Sequence, residues 1–442
     1  MTTAASTGEP WPIGKRQMVT AILASSLGWS LDLFDLFILL YVAPVVGKLF
    51  FPSDHPTMSL AAVYASFAVT LLMRPFGSAL FGSYADRHGR RNIMIVAVVG
   101  VGVSTALFGV LPTIAQVGIL APALFLLLRL VQGLFVGGVV ASTHTIGTES
   151  IPHYWRGAMS GLIGGGGAGI GALLASIAYF VCSELFPGDL FAVWGWRCMF
   201  FSGILSAVMG VFIFNKLEES PVWAALKAQR AARGQSAVAR APVRELFSGQ
   251  HLPVLLVNLL MTFGSGAGYY LTSGYLPTYL KVVVGVANEQ ASIILIESSL
   301  LVIFICVLVG HLSTLWGRKK VFLVMGVLRI VGIPLALLAM ATTKDIGALT
   351  GYALLLSFLG NGGYAPMLVF LNERFPTALR ATGTGLSWNI GFALGGMMPT
   401  FVSLFAGTPQ HLPTVLAAFT FGISVLFLIG AAIIPETSGN LK

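Results

Sequence analysis

Residues 82–91 read Gly82-Ser-Tyr-Ala-Asp-Arg-His-Gly-Arg-Arg91, and residues 310–319 read Gly310-His-Leu-Ser-Thr-Leu-Trp-Gly-Arg-Lys319. A second phrase, Glu149-Ser-Ile-Pro-His-Tyr-Trp-Arg156, returns as Glu373-Arg-Phe-Pro-Thr-Ala-Leu-Arg380. The first pair lies 228 residues apart (82 to 310) and the second 224 (149 to 373), in the same order. Two unrelated phrases recurring in register mark a tandem duplication with a repeat of roughly 220 residues. Both phrases stand between long apolar runs, so each copy is expected to cross a membrane several times. Duplicated polytopic chains commonly hold a binding site between their repeats, which makes transport the first expectation.

Composition supports a membrane chain. Hydrophobic residues make up 56% and charged residues only 9%, against about 25% charged in a soluble domain. A net charge of +9 would suggest nucleic acid in a soluble protein. Here the basic residues sit in short loops and read as topology signals, so no nucleic-acid partner is expected. Cys182, Cys198 and Cys306 show no metal-ligand spacing. No metal or cofactor is expected. The N-terminus is polar up to Lys15-Arg16 and then enters a long apolar segment, unlike the short apolar core of a cleaved signal.

A spanning helix needs about 20 mostly apolar residues. The pattern predicts an all-α polytopic membrane protein with spans at 18–49, 59–83, 92–112, 117–147, 157–184, 197–216, 252–284, 289–314, 320–341, 346–371, 379–406 and 412–435. The chain therefore divides into a tail at 1–17, a six-helix bundle at 18–216, a polar linker at 217–250, a second six-helix bundle at 252–435 and a tail at 436–442. With the N-terminus inside, 18 of the 25 Lys and Arg fall on the inner side. Four fall outside (Lys48, Arg197, Lys281, Lys344) and three within spans (Arg74, Arg129, Arg329). That asymmetry predicts cytoplasmic termini and an inner-membrane location.

Of sixteen acidic residues, three lie well inside spans: Asp32, Asp35 and Glu297. An ionisable group at membrane depth is costly, which makes each a functional candidate. Asp32 and Asp35 are three apart, a spacing that puts both on one helix face. Two carboxylates so placed resist double ionisation and are expected to exchange protons as a unit. One of them could instead be locked in a structural ion pair with an intramembrane arginine. Arg129, in Arg129-Leu-Val-Gln132-Gly133, could grip an anionic substrate or pair with the aspartates, with Gln132 on the same face. Arg74 is expected to snorkel to the surface, and Arg329 to snorkel or to pair with a neighbouring helix. Glu297 is read as an outer gate or cavity lining. Tyr275, two residues before Pro277, lies deeper than an interface belt requires. Asn361, Tyr364, Trp388 and Asn389 complete the expected substrate contacts. The glycines crowding 164–171 and 383–396 suit close helix packing. No Gly-Lys-Ser/Thr ending follows them, so nucleotide-driven transport lacks support.

The repeated loop phrase resembles the cytoplasmic loop motif of the major facilitator superfamily, whose fold is two pseudo-symmetric six-helix bundles. Gly82, Asp86, Arg87, Gly89, Arg90 and Arg91 match it. In the second copy Gly310, Gly317 and Arg318 match, and Thr314 replaces the acidic position. The resemblance therefore implies a charge-based conformational latch mainly in the first half. Glu149, Arg156, Glu373 and Arg380 of the second phrase join these as gating candidates, with Arg74 and Glu297. Within the superfamily the chain is similar to the metabolite:proton symporters, which include α-ketoglutarate, citrate, shikimate and proline/betaine permeases. Phe50-Phe51-Pro52, Leu72-Met73-Arg74-Pro75-Phe76-Gly77, Leu111-Pro112-Thr113, Ala121-Pro122-Ala123, Arg129 to Gly133, Trp194-Gly-Trp-Arg197, Glu219-Ser-Pro221 and Tyr275-Leu-Pro-Thr278 carry that likeness. Val139 stands where these symporters usually have Glu, which leaves any proton to Asp32, Asp35 or another group. The Asp-Leu-Phe-Asp of the first helix resembles the paired-Asp motif of aromatic-acid symporters.

The expectation is a monomeric secondary transporter that moves a small organic acid inward with protons. Asp32 and Asp35 form the protonation switch and Arg129 the anion contact. An uncoupled facilitator or exporter is the rival, although the Gly-Pro usual in the fifth helix of drug exporters is missing from 157–184. A non-transporting sensor is a weaker rival. An enzyme is not expected, because the sequence offers no nucleophile–His pairing or metal-ligand cluster.

Overall fold

In a computed structural model the chain is described at residues 15–88, 90–149, 153–215, 246, 247, 249, 251–375 and 380–438. Gly89 and nearly all of the 217–250 linker fall outside these. The side chains of Asp86, Arg87, Arg90, Arg91, Glu149 and Arg380, the surroundings of Gly82 and Val139, and the expectations placed on them lie outside the described residues as well.

Among the described residues twelve helical rods follow the apolar runs. In the first half these are α1 (Lys15–Phe50), α2 (Pro56–His88), α3 (Arg90–Phe108), α4 (Leu120–Glu149), α5 (Arg156–Leu185) and α6 (Phe191–Phe212). In the second half they are α7 (Leu252–Val284), α8 (Asn288–Trp316), α9 (Arg318–Thr342), α10 (Ile346–Arg374), α11 (Gly383–Ala406) and α12 (Leu412–Ile433). Eleven are long and apolar enough to cross a membrane. The exception is α3, whose described apolar part is the shorter Ile95–Phe108.

Packing repeats with the sequence. In the first half α1 lies against α5, α2 against α4 and α3 against α6. In the second half α7 lies against α11, α8 against α10 and α9 against α12. Adding six to each first-half number gives the second-half pair. Between halves the main contacts are α2 with α11 and α5 with α8. Exchanging the halves turns one of these pairs into the other, which is the signature of an internal two-fold axis.

The two interfaces differ in chemistry. Apolar lipid offers helices little hydrophobic drive to associate, so close backbone approach matters more. A methyl group on Gly310 of α8 would strike the carbonyl oxygen of Gly157 of α5, and one on Gly161 the carbonyl of Cys306. Larger residues there would separate the rods. At α2 and α11 the approach is made by Gly396, against which the Leu71 and Phe67 side chains lie, and Thr57 donates to the Gly407 carbonyl at 2.8 Å.

Several rods are interrupted where they pass the centre. Wide π-helical turns occur at Leu162–Gly166 in α5 and Tyr270–Gly274 in α7. The rod α10 breaks between Gly362 and Met367, where Pro366 lacks the donor a continuous helix needs. Such interruptions free backbone groups, and they are tolerated at membrane depth where protein or a cavity surrounds them.

Candidate transport site

The two aspartates of α1 do not act on a common partner. Asp32 turns toward α2, where its Oδ2 lies 3.5 Å from Arg74 Nη2. Asp35 turns toward α6 and accepts a hydrogen bond of 2.8 Å from Ser206 Oγ. Three residues advance a helix by 300° rather than a full turn, and that offset is enough for different neighbours to claim each carboxylate. The two carboxylates thus lie about 60° apart on one side of α1, as the spacing implies, but take different partners. Arg74 corrects an expectation. It is buried at 3% exposure and faces Asp32 instead of snorkelling.

The Asp32–Arg74 contact is an ion pair without hydrogen bonds. Neither Asp32 oxygen has a hydrogen-bond partner, nor do Nε and Nη2 of Arg74. Buried charges left so poorly satisfied are costly. The Arg74 guanidinium also lies 6.0 Å from the Trp29 ring, one helical turn before Asp32. Trp29 in turn donates to the Gly164 carbonyl of α5 at 3.0 Å.

Trp29 begins an aromatic column that crosses between the halves. Its ring meets Trp388 of α11 edge-on at 6.0 Å. Trp388 stacks on Phe392 at 4.6 Å and contacts Tyr364 of α10 at 5.4 Å. Tyr364 stacks on Tyr269 of α7 at 5.8 Å, and Tyr269 reaches Phe37 of α1 at 6.1 Å. The expected residues Tyr364 and Trp388 are therefore central. Asn389, beside Trp388, is buried with its Oδ1 unpartnered. Tyr269 stands among the aromatic and hydroxyl groups that crowd the seventh span in sequence, whereas Trp29, Phe37 and Phe392 were not singled out.

Beside this column is a small cavity lined by Phe37, Tyr41, Tyr269, Ser273, Ser298 and Asn361, among others. Asn361 donates to Ser273 Oγ at 2.8 Å and to the Ser357 carbonyl at 2.9 Å. The Asn361 Oδ1, the Ser298 hydroxyl and the Tyr269 hydroxyl have no partner. Space open to the centre of a water-sized sphere is about 20 Å³. That admits a water or two, not a metabolite.

The halves touch at both ends. At the end carrying the repeated loop phrases, Ser160 of α5 donates to the Ala365 carbonyl of α10 at 3.1 Å and accepts from Val369 N at 3.0 Å. Trp155 stacks on His311 at 5.3 Å. At the far end Tyr64 of α2 stacks on Tyr275 of α7 at 5.1 Å and donates to Thr278 at 2.8 Å. Tyr275 also shares a 2.9 Å hydrogen bond with Ser403 of α11. Tyr275 is therefore placed in the far-end closure rather than on the cavity wall.

Arg129 lies apart from that cavity. It donates to Gln132 Oε1 at 2.7 Å, and Gln132 donates to Thr105 of α3 at 2.7 Å. Its guanidinium lies 4.2 Å from the Phe108 ring and 5.2 Å from Phe125, all within the first half. Nε and Nη2 remain unpartnered. Arg329 is fully buried in the second half, donates to the Gly264 carbonyl at 3.0 Å and lies over Phe427 at 4.7 Å. Pairing with a neighbouring helix holds for Arg329; snorkelling does not. Glu297 corrects a further expectation. It sits on the exposed face of α8 with Ile293, Leu300 and Phe304, while its neighbour Ser298 lines the cavity.

The second loop phrase forms a latch of its own. Arg318 grips Glu373 through Nη2–Oε1 at 3.2 Å and Nε–Oε2 at 3.3 Å, and both side chains are fully buried. Nη1 donates to Ser313 at 2.7 Å and to Thr314 at 3.0 Å. Thr314, which replaces the acidic residue, thus supplies an acceptor, and the charge comes from Glu373. The second half therefore holds a buried ion pair at this phrase. Thr437 donates to Glu373 at 2.8 Å, and Glu436 accepts from the Arg318 and Lys319 amides. Gly317 has φ 98°, a conformation that favours glycine, and a side chain there would meet Glu436. Arg156 is buried at the start of α5.

A duplicated bundle with polar groups and broken rods between its halves is the architecture of a polytopic membrane transporter. Residues 18–399 match the Major Facilitator Superfamily profile, and the chain belongs to that family. It is 28% identical over 423 residues to the proline/betaine transporter of Salmonella typhimurium, covering 95% of this chain and 84% of that protein. It is 29% identical over 434 residues to the inner membrane metabolite transport protein YhjE of Escherichia coli, covering 96% of each. Among solved structures it is similar to the xylose transporter XylE of E. coli in a partially occluded inward open conformation. The TM-score is 0.73 at 17% identity, over 96% of this chain and 99% of that one. The major facilitator fold is therefore shared.

Proposed function

We propose that the chain takes up a small carboxylate-bearing metabolite together with protons, by alternating access, with Asp32 as the proton-bearing group and Arg74 as the carboxylate contact. The observation that carries this reading is the buried, poorly satisfied Asp32–Arg74 pair beside the aromatic column. A charged Asp32 holds Arg74. Once Asp32 takes a proton, Arg74 is released to grip a substrate carboxylate. Coupling further requires that protonation change the relative stability of the two facing states. Asp35, in contact with Ser206, is the second candidate for the proton.

The column of Trp29, Tyr364, Trp388 and Tyr269 suits a cationic nitrogen, which aromatic faces attract. Together with Arg74 this favours a zwitterion over a simple organic acid. The relatives named as proline/betaine transporters support that choice. Asn361 and Asn389 supply neutral hydrogen bonds, and Arg129 with Gln132 braces the first half around its own unpartnered nitrogens. The Ser160 contacts with Ala365 and Val369 at the loop end and the Tyr64–Tyr275 contact at the far end are the two closures that alternate. The orientation with cytoplasmic termini in the inner membrane rests on the basic-residue asymmetry. A monomer is supported by two bundles meeting within one chain.

The test is uptake into proteoliposomes under an imposed inward proton gradient, with radiolabelled proline, glycine betaine, α-ketoglutarate, citrate, shikimate, benzoate and lactate. One compound should accumulate against its gradient, and Asp32→Asn should exchange it without concentrating it. If accumulation ignores the proton gradient and Asp32→Asn behaves like the parent, the coupling proposed for Asp32 is wrong.

A further inference from the structure

A second concavity lies far from the transport path. It is an open groove of about 550 Å³ at the far end of the first half, between the end of α3, the loop that follows it and the start of α6. Its rim is apolar and exposed at Val110, Val193 and Trp194, as expected of a surface against acyl chains. Its wall holds one cation, Arg197.

Arg197 is fixed in place. Its Nη1 donates to the carbonyls of Gly109 at 2.6 Å and Leu111 at 3.0 Å, just beyond the last turn of α3. The guanidinium lies 4.4 Å from the buried Trp196 ring. No carboxylate lies within ion-pair distance of it among the described residues. Nε and Nη2 form the edge that grips a phosphate in two parallel bonds, and no described residue uses them. Gln116 lines the same groove and offers a further polar group. A cation held rigid at the membrane boundary, open on one edge and flanked by Trp194, matches an anionic headgroup whose chains run down the apolar rim.

We infer that this groove is a binding site for an anionic phospholipid headgroup, with Arg197 as the phosphate contact. The site stands independently of the substrate and coupling proposed above.

The experiment reconstitutes the full chain in phosphatidylcholine vesicles containing either brominated phosphatidylglycerol or brominated phosphatidylcholine at equal mole fraction. Quenching of Trp194 is read as the difference between the parent and Trp194→Phe. Brominated phosphatidylglycerol should be preferred roughly fivefold, about 1 kcal/mol for one basic residue. The preference should vanish in Arg197→Gln and persist in Arg197→Lys, which keeps the charge. Equal quenching by the two lipids in the parent overturns the inference without need of any variant. A preference that survives Arg197→Gln overturns it as well.

Discussion

The Arg318–Glu373 pair allows a prediction that separates a buried charge from a set of ordinary contacts. Replacing Glu373 with Met removes two charge-assisted hydrogen bonds, each worth about 1.5–3 kcal/mol, and leaves the guanidinium, among the described residues, with only Ser313 and Thr314. Replacing Arg318 with Met leaves the carboxylate, among the described residues, with only Thr437. Each single change strands a buried charge, so each should cost about 3–5 kcal/mol. The double variant strands none. It leaves three hydroxyls short of a partner but no ion, so it should fall within about 2 kcal/mol of either single variant. With the double variant close to either single one, the coupling energy is about 3–5 kcal/mol, at or above the upper end for neighbouring residues. Arg318→Lys should recover only part of the loss, because an ammonium cannot form the two-pronged contact. The assay is reversible unfolding in mixed micelles of rising denaturing-detergent fraction, followed by tryptophan emission. Costs that simply add in the double variant would refute the reasoning, since additivity means neither charge depended on the other.

Further outcomes follow from the same contacts. Gly161→Val should force α5 from α8 against the Cys306 carbonyl, costing about 1–3 kcal/mol for overpacking. In a background with Cys182 and Cys198 changed to Ser, it should expose Cys306 to maleimide, a thiol buried in the parent. Tyr64→Phe loses the hydrogen bond to Thr278 and about 0.5–1.5 kcal/mol of far-end closure. Spectroscopic distances across α2 and α7 should then shift roughly 2- to 10-fold toward the state open at that end. Asn361→Leu removes two hydrogen bonds from the cavity wall and should raise KM for the transported compound. An unchanged KM would place the substrate elsewhere.

Much of the fold was legible because lipid imposes a simple rule. Spans must be long and apolar, and two repeated phrases set the relation between halves. The division into two bundles, the packing of α1 with α5 and its echo in α7 with α11 follow from that repeat. The site was legible by residue type more than by partner. Asp32, Tyr364 and Trp388 stood out because polar or large groups at membrane depth need a reason. Sequence could not tell that Asp32 would find Arg74 while Asp35 found Ser206, since that depends on how α2 and α6 flank α1. Glu297 misled because depth in a span does not say which face a residue occupies. Its neighbour Ser298, a less conspicuous residue, faces the cavity. Trp29 carried one overlooked signal, its place one turn before Asp32. The charge lost at Thr314 was supplied by Glu373, a substitution visible only when α9 and α10 lie side by side.

The edge-on contact of Trp29 with Trp388 has a practical use beyond its place in the column. One indole belongs to the first half and the other to the second, with ring centroids 6.0 Å apart. Near-ultraviolet circular dichroism depends on the spacing and angle of such coupled chromophores. Any rocking of the bundles that parts these rings therefore writes itself into the spectrum of the unlabelled protein, giving a native optical readout of turnover.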